Sequence, residues 1–127
     1  TDEVKMHLLG VSADTLQGHT AVSEEVAKQM VGGAIDALQV DFAIAVSGVA
    51  GPGGGSADIP VGTIWIGYGS KDDIRTSKIT ENFGRDINLA IATNRAIRLM
   101  LDFLKEKLND KKTEEDNNEH AVPDMKA

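Results

Sequence analysis

The stretch that most constrains this chain is residues 42–56, FAIAVSGVAGPGGGS. An apolar run from Phe42 to Val46 breaks at Ser47-Gly48 and enters a loop with five glycines. The run is short, partly β-branched and ended by punctuation residues, so it reads as a buried strand. A loop so rich in glycine loses much conformational entropy when it is ordered. Such a loop is usually kept because backbone must come close to something, often an anion held by N–H groups. A plain flexible connection is the bland alternative.

At 127 residues the chain is one domain with enough length for a core. A net charge of −7 offers no basic surplus to displace counterions, which argues against nucleic acid as a partner. A small anionic ligand met by one or two local cations remains compatible. No cysteine is present, so disulfides, thiolate catalysis and cysteine-based metal sites are excluded. That fits a cytoplasmic protein. No apolar run approaches the roughly 20 residues that span a bilayer, so no membrane partner is expected. His7, His19 and His120 have no metal-ligand spacing, and no metal or other cofactor is expected.

Short helical turns are expected over 4–9 and 13–17, ended by Gly10 and Gly18. Ser23, with Glu24 and Glu25 just inside, is a helix N-cap. Val26, Met30, Ala34 and Leu38, with Ala27, Val31 and Ile35 beside them, predict an amphipathic helix ending near Gln39. Gly32-Gly33 inside it predict close packing against a neighbour. After the glycine loop, residues 61–69 predict a second strand and residues 75–81 a polar edge strand, joined as a hairpin. In the second strand Gly67 and Gly69 thin one face, and Trp65 reads as core. A last helix is expected from Arg85 or Asp86 to Leu108, with Ile87, Ala90, Ile91, Asn94, Ile97, Leu101, Leu104 and Leu108 on one face. Residues 109–127 carry three lysines against six acids and few apolar groups, and read as an acidic disordered tail.

This order predicts an α/β fold, layered α/β/α around a mixed sheet. Three strands are few for two long helices, so further strands are expected on the N-terminal side. The polar edge and the short sheet are compatible with a homo-oligomer.

Two strings carry a family resemblance: LLGVSADTLQGHTAVSEEVAKQM and AVSGVAGPGGGSADIPVGTIWIG. They resemble the C-terminal domain of the CinA competence/damage-inducible proteins over about residues 1–108. Thr20 stands where that family usually has glycine. The resemblance implies an amidase that hydrolyses nicotinamide mononucleotide (NMN) to nicotinic acid mononucleotide and ammonia by a serine/lysine mechanism. The family's serine lies in a T-A-E-S-C-T-G-G-like segment, and no such string occurs here. The family's lysine follows a Y-[ST]-[ND]-x-x-K pattern. Thr1 to Lys5 match the end of that pattern, so Lys5 takes the general-base role by resemblance. The chain therefore reads as a domain lacking its N-terminal segment and inactive alone.

Ser47, Gly48, Ala50, Gly51, Gly53, Gly54 and Arg85 are the candidate substrate contacts. The loop lacks Gly-Lys-Ser/Thr and does not run straight into a helix, so it is neither a nucleoside-triphosphate loop nor a dinucleotide-binding loop. Ser47 is not in a G-x-S-x-G elbow and is not expected to be the nucleophile. Arg85, at a helix N-terminus, suits a phosphate or carboxylate, or an ion pair with a neighbouring acid. The alternative to an enzyme is a degenerate nucleotide-binding or oligomerisation domain.

Overall fold

A computed structural model describes residues 22–49, 51, 53, 55 and 59–121. The short turns expected over 4–9 and 13–17 lie outside the described residues. Five elements follow in order: helix α1 (Glu24–Leu38), strands β1 (Phe42–Gly48), β2 (Ile64–Ser70) and β3 (Asp73–Ile79), and helix α2 (Arg85–Ala121).

Helix α1 starts where the capping signal places it. The Ser23 hydroxyl accepts the Val26 N–H at 3.3 Å, and Glu24 and Glu25 face the positive end of the helix. It stops at Gln39, which turns into the left-handed region at φ 53° while its N–H donates to Ile35 O. The buried face is Val26, Ala27, Val31 and Ile35.

The sheet order is β1-β2-β3, and both pairings are antiparallel. The α/β layering is as expected. The parallel pair that a mixed sheet requires is not among the described residues. Among the described residues between β1 and β2 there is no helix of the kind that carries a chain back for a parallel crossover.

The two faces of the sheet are built differently. On one, α1 packs Val31 and Ile35 over Ala45, with Met30, Ala43 and Ile74 at the edge. The close approach here comes from the sheet side. A Cβ added at Gly67 would lie 2.7 Å from the Ala27 carbonyl oxygen, so only glycine lets the helix backbone settle onto β2. Gly32, expected to be the point of close packing, has its nearest neighbour, Ile74 Cδ1, at an ordinary 3.7 Å.

On the other face, Ile64, Ile66, Tyr68 and Ile79 meet Ala92, Ala96, Met100 and Phe103 of α2. The inner face of α2 is therefore not the face that the spacing predicts. Ile87, Ile97, Leu101 and Leu108 are exposed, and the stripe Asn88-Ala92-Ala96-Met100-Phe103 is buried. Small alanines let the helix axis approach the bulky strand residues, and the larger aliphatic stripe turns away. Strand β1, expected to be buried, is an edge among the described strands. Its Phe42, Ile44 and Val46 remain 40–44% exposed because α2 lies over β2 more than over β1.

Helix α2 also runs past the expected end at Leu108, through Ala121. Residues 109–118 are exposed, so packing does not explain the extension. No glycine or proline interrupts the chain before Pro123, and Lys111–Glu115 and Lys112–Asp116 sit at favourable i,i+4 spacing. Midway, Lys107 and Glu106 of α2 bind the β2–β3 hairpin: Lys107 Nζ lies 2.7 Å from Asp73 Oδ2, and Arg75 Nη1 lies 2.6 Å from Glu106 Oε2. Trp65 is half-buried rather than core, with the Lys78 ammonium 5.4 Å from its ring centroid.

Candidate functional site

The glycine-rich connection leaves the end of β1 and returns at β2 through a base of backbone hydrogen bonds. Val49 N–H donates to Thr63 O at 2.9 Å, Gly62 N–H to Val49 O at 2.7 Å, and Thr63 N–H to Pro60 O at 3.1 Å. Gly62 has φ +96°, and a Cβ there would run into the Glu81 carbonyl oxygen. The returning limb is thus pressed against the residues that lead into α2.

Those residues form a small polar brace. The buried Asn88 side chain, 1% exposed, accepts the Phe83 N–H at 2.8 Å and donates to Asn82 Oδ1 at 3.0 Å. Asn82 Oδ1 also accepts the Gly84 N–H at 3.2 Å, and Asn88 N–H closes the first helical turn on Gly84 O at 2.8 Å. This fixes where α2 begins, and with it Arg85. The Arg85 guanidinium reaches across 34 residues of sequence: Nη1 donates to Gly51 O at 2.9 Å. Gly51 has φ +98°, a backbone setting that other residues rarely adopt.

Two neighbouring cavities share Arg85. One, of about 270 Å³, is lined by Gly51, Val61, Asn82, Gly84 and Arg85. The other, of about 240 Å³, is lined by Val46, Gly48, Ile64, Arg85, Leu89 and Ala92. Gly48 belongs here by fit as well as position, because a Cβ on it would lie 2.9 Å from Thr63 O.

Gly48, Gly51 and Arg85 are therefore brought together at one end of the sheet. Gly53 is exposed, with open space around it. Ser47 is buried and pairs with Trp65; its strand position alternates with Gly48, on the α1 side with Ala43 and Ala45. The candidate contacts thus divide between the two faces. Lys5, Ala50 and Gly54 lie outside the described residues. Asn82 and Asn88 were not singled out from the sequence. The available signal at Asn82 was an asparagine just ahead of a helix, a residue type that caps and turns favour; Asn88 lies within α2 and carried no such signal. Among the described residues no group of acids and histidines could hold a metal ion, and no helix is long and apolar enough to cross a membrane.

Comparison with known proteins adds to this geometry. The CinA C-terminal domain family matches residues 1–104. The chain is 50% identical over 72 residues to the nicotinamide-nucleotide amidohydrolase PncC of Enterobacter agglomerans, covering 57% of this chain and 44% of that protein. It is 42% identical over 107 residues to a CinA-like protein of Leptospira borgpetersenii serovar Hardjo-bovis, covering 82% of this chain and 25% of that protein. The chain thus spans less than half the length of these relatives. Among solved structures, it is similar to the competence/damage inducible protein CihA from Agrobacterium tumefaciens. The TM-score is 0.77 at 32% identity, covering 81% of this chain and 64% of that one.

Proposed function

The chain belongs to the CinA C-terminal domain family, and from that premise we propose that it serves an amidohydrolase acting on a pyridine nucleotide. The substrate is NMN, and the products are nicotinic acid mononucleotide and ammonia. What supports this most directly is the 50% identity to a protein named nicotinamide-nucleotide amidohydrolase. The braced glycine loop, with a cation beside it, suits a small anionic nucleotide.

The chemistry follows from what an amide requires. A serine hydroxyl attacks the carboxamide carbon, and the neutral amine of Lys5 takes the hydroxyl proton. The negative charge that forms on the carbonyl oxygen is met by backbone N–H groups, commonly worth about 3 kcal/mol per donor. Lys5 returns the proton to the nitrogen, which leaves as ammonia, and water then releases the acid from the acyl-serine. The serine of this scheme belongs to a T-A-E-S-C-T-G-G-like segment, which the 127 residues do not contain. The domain of these 127 residues supplies the base, with Gly48, Ala50, Gly51, Gly53 and Gly54 as substrate contacts on the glycine loop, Ser47 as a contact from the α1 face, and Arg85 beside the loop.

The test is ammonia release from NMN by a protein that includes the serine segment, with and without Lys5→Ala. Loss of the general base should lower kcat about 100-fold or more. Equal rates would remove Lys5 from the mechanism. Binding of NMN without ammonia release in either form would favour a nucleotide-binding module.

A further inference from the structure

We infer that Arg85 is a positioning residue that holds the glycine loop through the Gly51 carbonyl, and that its effect on a bound nucleotide is exerted through the loop. This deepens the pyridine-nucleotide reading and rests on it for the ligand. Three observations carry it. Arg85 Nη1 donates to Gly51 O at 2.9 Å, so the outgoing limb of the loop is tied to the first residue of α2. The returning limb is seated against the same segment, where Gly62 leaves no room for a Cβ beside Glu81 O. That segment is itself fixed by the buried Asn88 through Phe83 N–H and Asn82 Oδ1. Both limbs of the loop therefore take their position from residues 81–88. Of the described contacts, the charged one to the outgoing limb is Arg85. A guanidinium donating to a carbonyl is a charge-assisted hydrogen bond, stronger than a neutral one. Gly51 has no side chain with which to hold its own conformation.

The experiment separates a loop brace from a direct grip on phosphate. Amide hydrogen exchange of Val49, Gly62 and Thr63 is measured without ligand in the 127-residue chain and in Arg85→Ala, with β2 amides such as Ile66 as reference. Binding of NMN and of its phosphate-free nucleoside, nicotinamide riboside, is then compared in a protein that includes the serine segment, with and without Arg85→Ala. With Arg85 as a brace, exchange at the loop base rises about tenfold or more, the size expected for losing a hydrogen bond to a charged group. Affinity for NMN and for the riboside then falls by the same factor. Unchanged exchange together with a loss confined to NMN would overturn the proposal and make Arg85 a phosphate ligand. If the unsubstituted protein that includes the serine segment binds neither compound, the pyridine-nucleotide reading fails, and the exchange measurement still decides the brace. Should Arg85→Ala lose protection across β2 as well, Arg85→Lys, which keeps a donor near the carbonyl, carries the same comparison.

Discussion

The two faces of the sheet solve the same burial problem in opposite ways. Under α1 the contact is thin: alanines of β1, Gly67 of β2, and a helix backbone resting almost directly on the strand. Under α2 the contact is thick: isoleucines, Tyr68 and Phe103 fill the gap, with alanines on the helix giving way to them. At Gly67 the thin face has no room for an added atom, whereas the thick face depends on the atoms it has. The glycine loop emerges where these two faces meet at the end of β1, and its brace comes from the thick side, through the start of α2.

The largest test of this contrast is Phe103→Ala. The Phe103 ring makes edge contacts with Phe42 and Tyr68 at 6.1 and 6.2 Å, and the Arg75 and Lys107 cations lie 4.9 and 5.3 Å from its centroid. Removing it leaves a cavity and strips two cations of their π face. Denaturant unfolding should show a loss of about 3–5 kcal/mol. A loss under about 1 kcal/mol would mean that α2 does not depend on this contact. On the thin face the addition of one carbon makes the corresponding test. Gly67→Ala would place a methyl against the Ala27 carbonyl and should cost about 1–3 kcal/mol. A neutral outcome would show that α1 can lift off β2 freely.

A smaller effect is expected at the rim of the thick face. Ile97 is 51% exposed on α2. Ile97→Gln, which keeps a good helix former, should change stability by no more than about 0.5 kcal/mol. A loss several times larger would place Ile97 under cover and restore the aliphatic stripe as an inner face.

What the sequence made legible was local. Ser23 and its two acids announced α1, and the break at Ser47-Gly48 announced the end of β1. The strand signals at 61–69 and 75–81 announced the hairpin. What it hid depended on distant partners. The helix stripe with the larger side chains, Ile97 and Leu101, looked like the buried one. Burial went instead to Ala92 and Ala96, because what counts is how closely the helix can approach Ile64 and Ile66. The α2 extension beyond Leu108 was hidden in a segment whose composition resembled disorder but whose spacing allowed helix. The polar constellation at the site was only half visible. The glycines and Arg85 stood out as residue types. The pairing of Arg85 with Gly51 across 34 positions, and the role of Asn88 behind it, are set by tertiary geometry and leave no periodic trace.

The finest test concerns how α2 is tethered to the hairpin, since exposed ion pairs contribute little each. Arg75 and Lys107 hydrogen-bond the Asp73 carboxylate and hold its pKa down at about 2, from an ordinary 3.8. Asp73 in turn, with Glu106, pushes the Arg75 guanidinium further up. A carboxylate whose pKa is depressed on folding stabilises the protein fully above its unfolded value, and that contribution is lost as pH falls through the folded value. The tether therefore weakens between about pH 4 and pH 2 as Asp73 takes up a proton. Asp73→Asn cannot titrate, so its melting temperature should fall less steeply than the unsubstituted chain's across that window, with the two curves separated most above pH 4. Added salt should narrow the separation, because the pairs are partly exposed and screened. Parallel curves from pH 5 to pH 2 would show that Asp73 gains nothing from its two cations. Apolar packing of Ala92, Ala96, Met100 and Phe103, with the Arg75–Glu106 pair, would then hold α2 to the thick face.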